Sequence, residues 1–213
     1  NVLQVWVRDL AGGEETDVVV TADAKRGIRM AGWTRDSTGV YYLQDANGDE
    51  NFHLFLVTLP RRGEDGAAPE PSPARDLTPF QGVRCSGAMS HRNHPQELIV
   101  YLNLRDRSCF DLHRIDLRTG GITLDTQNPG AYLSWVADDD FVVRAAMRSN
   151  PEDASTTLMV RDSAAAEAEW RELMHFPFGE SGHVVGFSKA GRTMFVETTL
   201  EGDTSRLIEV NAA

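Results

Sequence analysis

Cysteine is scarce: Cys85 and Cys109 are the two thiols in 213 residues. Two cysteines cannot build a disulfide framework, so the fold must rest on an apolar core, with idle or buried thiols in a reducing compartment. Basic residues are also few, 21 Lys and Arg against 32 Asp and Glu, for a net charge of −11. That balance argues against a nucleic-acid partner, because a phosphate backbone needs a basic face. The base that is present is nearly all arginine, with Lys25 and Lys189 as the lysines. No apolar run approaches the roughly 20 residues needed to span a bilayer, so no membrane partner is expected. The opening NVLQVWVRDL lacks the basic-then-apolar order of an export signal. A start without Met points to a processed or excised chain whose targeting segment, if any, lies upstream. Cytoplasm and plastid stroma both suit these features.

What is present is β-strand chemistry. The runs LQVWVRDL, TDVVVTAD, GVYYLQD, FHLFLVTL, ELIVYLNL, DLHRIDL, DFVVRAAM, TTLMVRD, TMFVETTL and SRLIEV are short and apolar, bounded by Gly, Asp, Asn, Pro or Ser. The most helix-like composition, DSAAAEAEWRELM at 162–174, divides into an Ala/Glu linker and a WRELM stretch that also reads as an outer strand. The runs recur in units of four strands at a period of roughly 45–50 residues, the spacing of propeller blades. One such sheet cannot bury both faces alone, so neighbours must stack around an axis. The fold class predicted is all-β: a partial β-propeller of four-stranded antiparallel blades, with about half a blade, three full blades and an incomplete last blade. It is read as a single propeller fragment over 1–213, a curved and open arc. The Pro/Gly/Glu-rich stretch 60–74 is expected to be a flexible insertion loop.

Candidate chemistry is thin. Gly179-Glu180-Ser181-Gly182-His183 approaches the nucleophile elbow Gly-x-Ser-x-Gly, but His stands in place of the second glycine, so an inter-blade turn is the better reading. In DANGDEN, Asp45, Asn47, Asp49 and Glu50 offer oxygen ligands at alternating positions. Gly48 is misplaced for a calcium loop, and Asn-Gly is a turn signal, so a capped hairpin turn is expected there, facing substrate or another domain. His91 and His94 lie in SHRNHP without the helix and glutamate of a zinc motif, and His53, His113, His175 and His183 show no partner spacing. First strands of propeller blades line the central channel, which places Arg29 and Arg84 beside it. Arginine there would grip peptide carboxylates or form inter-blade ion pairs, with Asp36 or Asp49 as partner. The substrate-channel candidates are therefore Arg29, Arg84, Asp49 and Glu50. Trp33 and Trp135 occupy equivalent places and read as inter-blade core. No catalytic residue, metal ligand or cofactor is assigned.

The strings GIRMAGWTRDSTGVYYLQDANGDENFHLFLVTL, RDLTPFQGVR and NLRDRSCFDLHRIDLRTGGITLDTQNPG resemble the propeller of prolyl oligopeptidase-family serine peptidases, closest to dipeptidyl aminopeptidase and acylaminoacyl-peptidase-like members. The resemblance runs from VWVRDL to TLEGDTSRLIEV and weakens over 60–74 and the Ala/Glu segment. It implies a non-catalytic propeller that gates peptide access and docks to a C-terminal α/β-hydrolase domain carrying a Ser-Asp-His triad. That hydrolase domain has no counterpart in these residues. Two rival readings remain at this level: a stand-alone propeller that binds proteins, and one that binds ions or other ligands through the DANGDEN turn.

Overall fold

A computed structural model of the chain describes residues 2–10, 17–28, 30–59, 70–163 and 168–212, and the apolar runs within them form antiparallel strands, with no helix among the described residues. The chain divides into two compact units, 1–127 and 128–213. In the first unit β1 (Trp6–Val7) pairs with β2 (Val18–Val19). Two four-stranded sheets follow, β3 (Ala31–Trp33) to β4 (Gly39–Gln44), β5 (His53–Thr58) and β6 (Arg75–Asp76), then β7 (Cys85–His91) to β8 (His94–Asp106), β9 (Cys109–Asp116) and β10 (Ile122–Thr126). The second unit holds β11 (Tyr132–Ala137), β12 (Val143–Asn150), β13 (Ser155–Val160) and β14 (Arg171–Phe176) in one sheet. A three-stranded sheet follows, β15 (Gly182–Phe187), β16 (Thr193–Thr198) and β17 (Arg206–Asn211). Every sheet is a meander in chain order, and the strand counts are the two, four, four, four and three expected of a partial propeller.

The inner strands show why sheets of this composition stack. In β4 the sequence VYYL is buried at every position, because alternate side chains serve opposite faces. Tyr41 and Leu43 join Leu54, Leu56, Leu98, Val100 and Ile115 in the core between the β3–β6 and β7–β10 sheets. Val40 and Tyr42 turn to the other face and pack with Val20, Ile28 and Val57. The second unit repeats the device, with Ala145, Met147, Leu158 and Phe176 against Val184, Met194 and Val196. A fully buried side chain such as Leu54 or Leu158 stabilises the fold by about 1.5–3 kcal/mol.

The turns explain the acidity. In Asp36-Ser37-Thr38, Asp76-Leu77-Thr78, Asp106-Arg107-Ser108 and Asp153-Ala154-Ser155, the aspartate carboxylate accepts the backbone N–H two residues on, at 2.9–3.0 Å. Asp138 does the same for Asp140 and Val142, at 3.1 and 3.0 Å. These carboxylates replace the partner that the turn backbone would otherwise lack.

Two expectations shift and one holds. The loop expected at SHRNHP is a tight hairpin with His91 opposite His94, because β8 starts at His94 and runs to Asp106. The WRELM stretch does form an outer strand, β14. Trp135 is buried core, but Trp33 stands 49% exposed. A register shift at Leu133 in β11 brings Tyr132 onto Trp135, with ring centres 5.1 Å apart, and Trp170 closes the cluster at 5.6 Å. β3 has no such shift and presents no second aromatic ring to Trp33. Of the 60–74 insertion, residues 60–69 lie outside the described residues, and so does Arg29. At its end Ser72 is tied to Thr58 by two hydrogen bonds of 2.9 Å, which extend the edge of β5.

Candidate functional site

The β4–β5 hairpin carries the most concentrated polar chemistry in the first unit. Asn47 and Gly48 both take left-handed backbone, φ 61° and 91°, as the Asn-Gly dipeptide favours. Asp49 caps the loop by accepting the N–H of Ala46 at 3.2 Å and of Asn51 at 3.1 Å, and the Asn51 side-chain amide at 3.3 Å. Asp45 accepts the Glu50 N–H at 3.2 Å. Two basic residues from the 23–28 segment then close on the acids. Arg26 reaches Asp45 at 3.2 Å and Glu50 at 3.6 Å, and Lys25 donates to the Asn47 side chain. Asp23 fixes that segment by accepting from the backbone N–H groups of Lys25, Arg26 and Gly27. The oxygens that resembled a cation shell are thus spent on backbone and arginine. Among the described residues no cluster of three or more His, Cys, Asp or Glu side chains is placed to hold a metal ion.

Beside this turn lies a groove of about 690 Å³ on the β3–β6 sheet. Its wall is aromatic: Tyr42 and Phe55 stack at 5.5 Å with 17° between planes, and His53 continues the stack at 6.4 Å from Phe55. His53 Nδ1 meets Asp76 at 2.7 Å, and the other Asp76 oxygen takes the Thr78 N–H at 2.9 Å. Asp49 stands at the rim. Burial pulls its carboxyl upward, but hydrogen bonds from Asn51 and Ala46 and the nearby His53 outweigh that and hold it below its ordinary value.

Arg84 is exposed just before β7, with its guanidinium over the Phe52 ring at 5.5 Å. It takes neither Asp36 nor Asp49 as a partner. Asp36 instead reaches the neighbouring sheet by accepting from Gln96. Arg84 and the Asp49–Glu50 turn are therefore not joined into one cluster by any bond between them. Next to Arg84 stands a network that the sequence did not advertise. The Asn103 side chain accepts the Arg84 N–H at 2.6 Å and donates to the Arg107 carbonyl at 3.0 Å. Asp111, 1% exposed, is gripped by the Arg105 fork at 2.8 and 2.9 Å. Asp, Arg and Asn at 103–111 are separated by a strand irregularity, so no simple spacing announces the cluster.

Ser181 behaves as a turn residue. Its N–H donates to Thr199 Oγ1 at 2.9 Å, and its carbonyl accepts from Thr198 Oγ1 at 2.9 Å. Gly182 opens β15 against Phe176, and a Cβ there would lie inside that ring. Cys85 is buried in the β7–β10 sheet, and burial pushes its thiol up to about 12, which removes it as a nucleophile at neutral pH.

Stacked antiparallel meanders of this kind define a propeller-type scaffold. No family model matches the chain. Over its whole length the chain is similar to dipeptidyl aminopeptidase BIII of Pseudoxanthomonas mexicana, 29% identical over 214 residues that cover 100% of this chain and 29% of that protein. Prolyl oligopeptidase B from Galerina marginata has a similar fold, with TM-score 0.63 and 13% identity, over 99% of this chain and 28% of that one. Oligopeptidase B from Leishmania major matches with TM-score 0.60 and 13% identity, over 99% of this chain and 29% of that one. The likeness to the propeller region of prolyl oligopeptidase-family peptidases therefore holds in both sequence and fold.

Proposed function

We propose that this chain is the propeller portion of a serine-type peptidase, that it gates access of short peptides, and that it docks to a C-terminal α/β-hydrolase domain which performs the hydrolysis. The observation that carries this reading is the match of the entire chain to less than a third of a dipeptidyl aminopeptidase. The absence of a Gly-x-Ser-x-Gly elbow from the sequence agrees with it, since the nucleophile, oxyanion hole and general base would all come from the other domain. Arg84, Asp49 and Glu50 sit in turns or approaches at strand ends, where a rim can meet substrate. The scarcity and burial of Cys85 and Cys109 support a reducing compartment such as cytoplasm or stroma.

The test is made on the natural polypeptide that contains these residues. A fluorophosphonate probe should label one serine outside them, and dipeptidyl nitroanilides should be cleaved while a folded globular protein is spared. A natural polypeptide that takes no label and cleaves no peptide would sink the reading.

A further inference from the structure

We propose that the outer face of the β15–β17 sheet is a docking surface whose occupant is another antiparallel β-sheet of the same natural polypeptide, formed by residues outside this chain. The β15–β17 sheet carries apolar side chains on both faces. One face is packed, with Val184, Met194, Val196, Ile208 and Val210 in the core of the second unit. Alternate positions point the other way and carry Phe195, partly buried, and Leu207, 63% exposed. Val185 lies at the register shift between Val184 and Gly186 and is 57% exposed. An antiparallel sheet with one wet face keeps its apolar residues on the other, whereas a sheet covered twice is apolar on both. The β3–β6 sheet is of the covered kind: Tyr41 and Leu43 enter one core, Val40 and Tyr42 another. The β15–β17 sheet has the same two-sided character, yet only one of its faces is packed among the described residues.

Three features specify what covers the other face. The sheet has three strands where the β3–β6, β7–β10 and β11–β14 sheets have four, and β17 is its edge. An edge strand offers backbone N–H and C=O groups to an added strand, so a β-sheet partner can join the edge and the face together. Gly186 stands opposite Phe195, and a Cβ built on it would meet nothing within 4 Å. That notch seats one apolar side chain of a facing sheet against the Phe195 ring. On the other side of Phe195 stands Glu209, exposed and without a hydrogen bond or ion pair among the described residues. With exposed Glu197 two residues along the next strand row, it calls for a basic residue in the facing sheet. The chain matches 29% of the length of a dipeptidyl aminopeptidase, which leaves most of such a polypeptide to supply that sheet. The assignment rests on the reading of this chain as part of a longer peptidase, and it names a surface by which that part is held.

Hydroxyl-radical footprinting tests it, comparing the 213-residue chain with the natural polypeptide that contains it. Phe195 and Leu207 should be oxidised several-fold more slowly in the natural polypeptide. Gly186→Val and Leu207→Lys then read the docking through stability. In the 213-residue chain both should leave the urea midpoint unchanged, because these positions face open space. In the natural polypeptide each should lower the midpoint by about 0.5 M, by filling the notch or by setting a cation against a basic partner. Equal oxidation in the two proteins, or midpoints unmoved in both, would overturn the assignment. Protection that grows with the concentration of the 213-residue chain would overturn it too, by giving the face to a second copy. Fluorophosphonate labelling reports on the peptidase reading separately: a labelled polypeptide whose Phe195 and Leu207 stay fully oxidisable keeps that reading and loses this one.

Discussion

His113 shows how one buried side chain links this fold to pH. It lies in β9 opposite Val100, among buried side chains. Burial lowers its pKa from the ordinary 6.5, and the neighbouring Asp111 and Asp125 only partly oppose the shift. The unfolded chain therefore takes up a proton on acidification before the folded chain does. Stability is held above pH 6.5 and falls as the pH drops from there toward the lowered folded value. The urea midpoint should be lower at pH 5.5 than at pH 7.5, and His113→Gln should remove part of that difference. An identical slope in the variant would assign the effect to other groups. The sequence alone does not single out such a residue. The six histidines look alike in the sequence, and the neighbours that separate His113 from exposed His183 arrive from other strands.

Strand order was legible at the scale of elements because its signals are local. Alternating apolar residues define β5, β9 and β16, and Asp-x-Ser or Asp-x-Thr ends several of the turns between strands. Where the fold departs from the expected pattern, a non-local partner decides. β8 begins at His94 because His91 pairs back across a two-residue turn. Trp33 and Trp135 share a place in the repeat, yet a shift in β11 gives only Trp135 an aromatic cage. Gly182, which stands in the incomplete elbow motif of the sequence, admits the Phe176 ring at the start of β15. Gly182→Ala should destabilise the second unit by about 1–3 kcal/mol through overpacking. Urea unfolding followed by tryptophan emission from Trp135 and Trp170 would measure this, and an unchanged midpoint would mean that Phe176 relocates at no cost.

Across the whole molecule the charge of −11 acts through the turns. Asp23, Asp106, Asp116 and Asp153 are each held below the ordinary 3.8, first by hydrogen bonds from Gly27, Ser108, Thr119 and Ser155 respectively. Groups lowered in the folded state add stability above 3.8, and that stability is lost as the pH falls through their folded values. Circular dichroism during acid titration should therefore show a transition beginning below about pH 4, shallower in the double variant Asp106→Asn, Asp153→Asn. A flat signal from pH 5 to 2 would show that the caps carry no net stability.

By itself the sequence determined the number of strands in each blade, their meander order and the likeness to a peptidase propeller, because period-two burial and turn chemistry are properties of neighbouring residues. The tertiary structure alone decided which acids are available. Asp45 is taken by an arginine 19 residues away, while Asp49 is spent on Ala46 and Asn51 within its own turn. Such differences depend on distances between segments far apart in the chain, which composition and spacing do not encode.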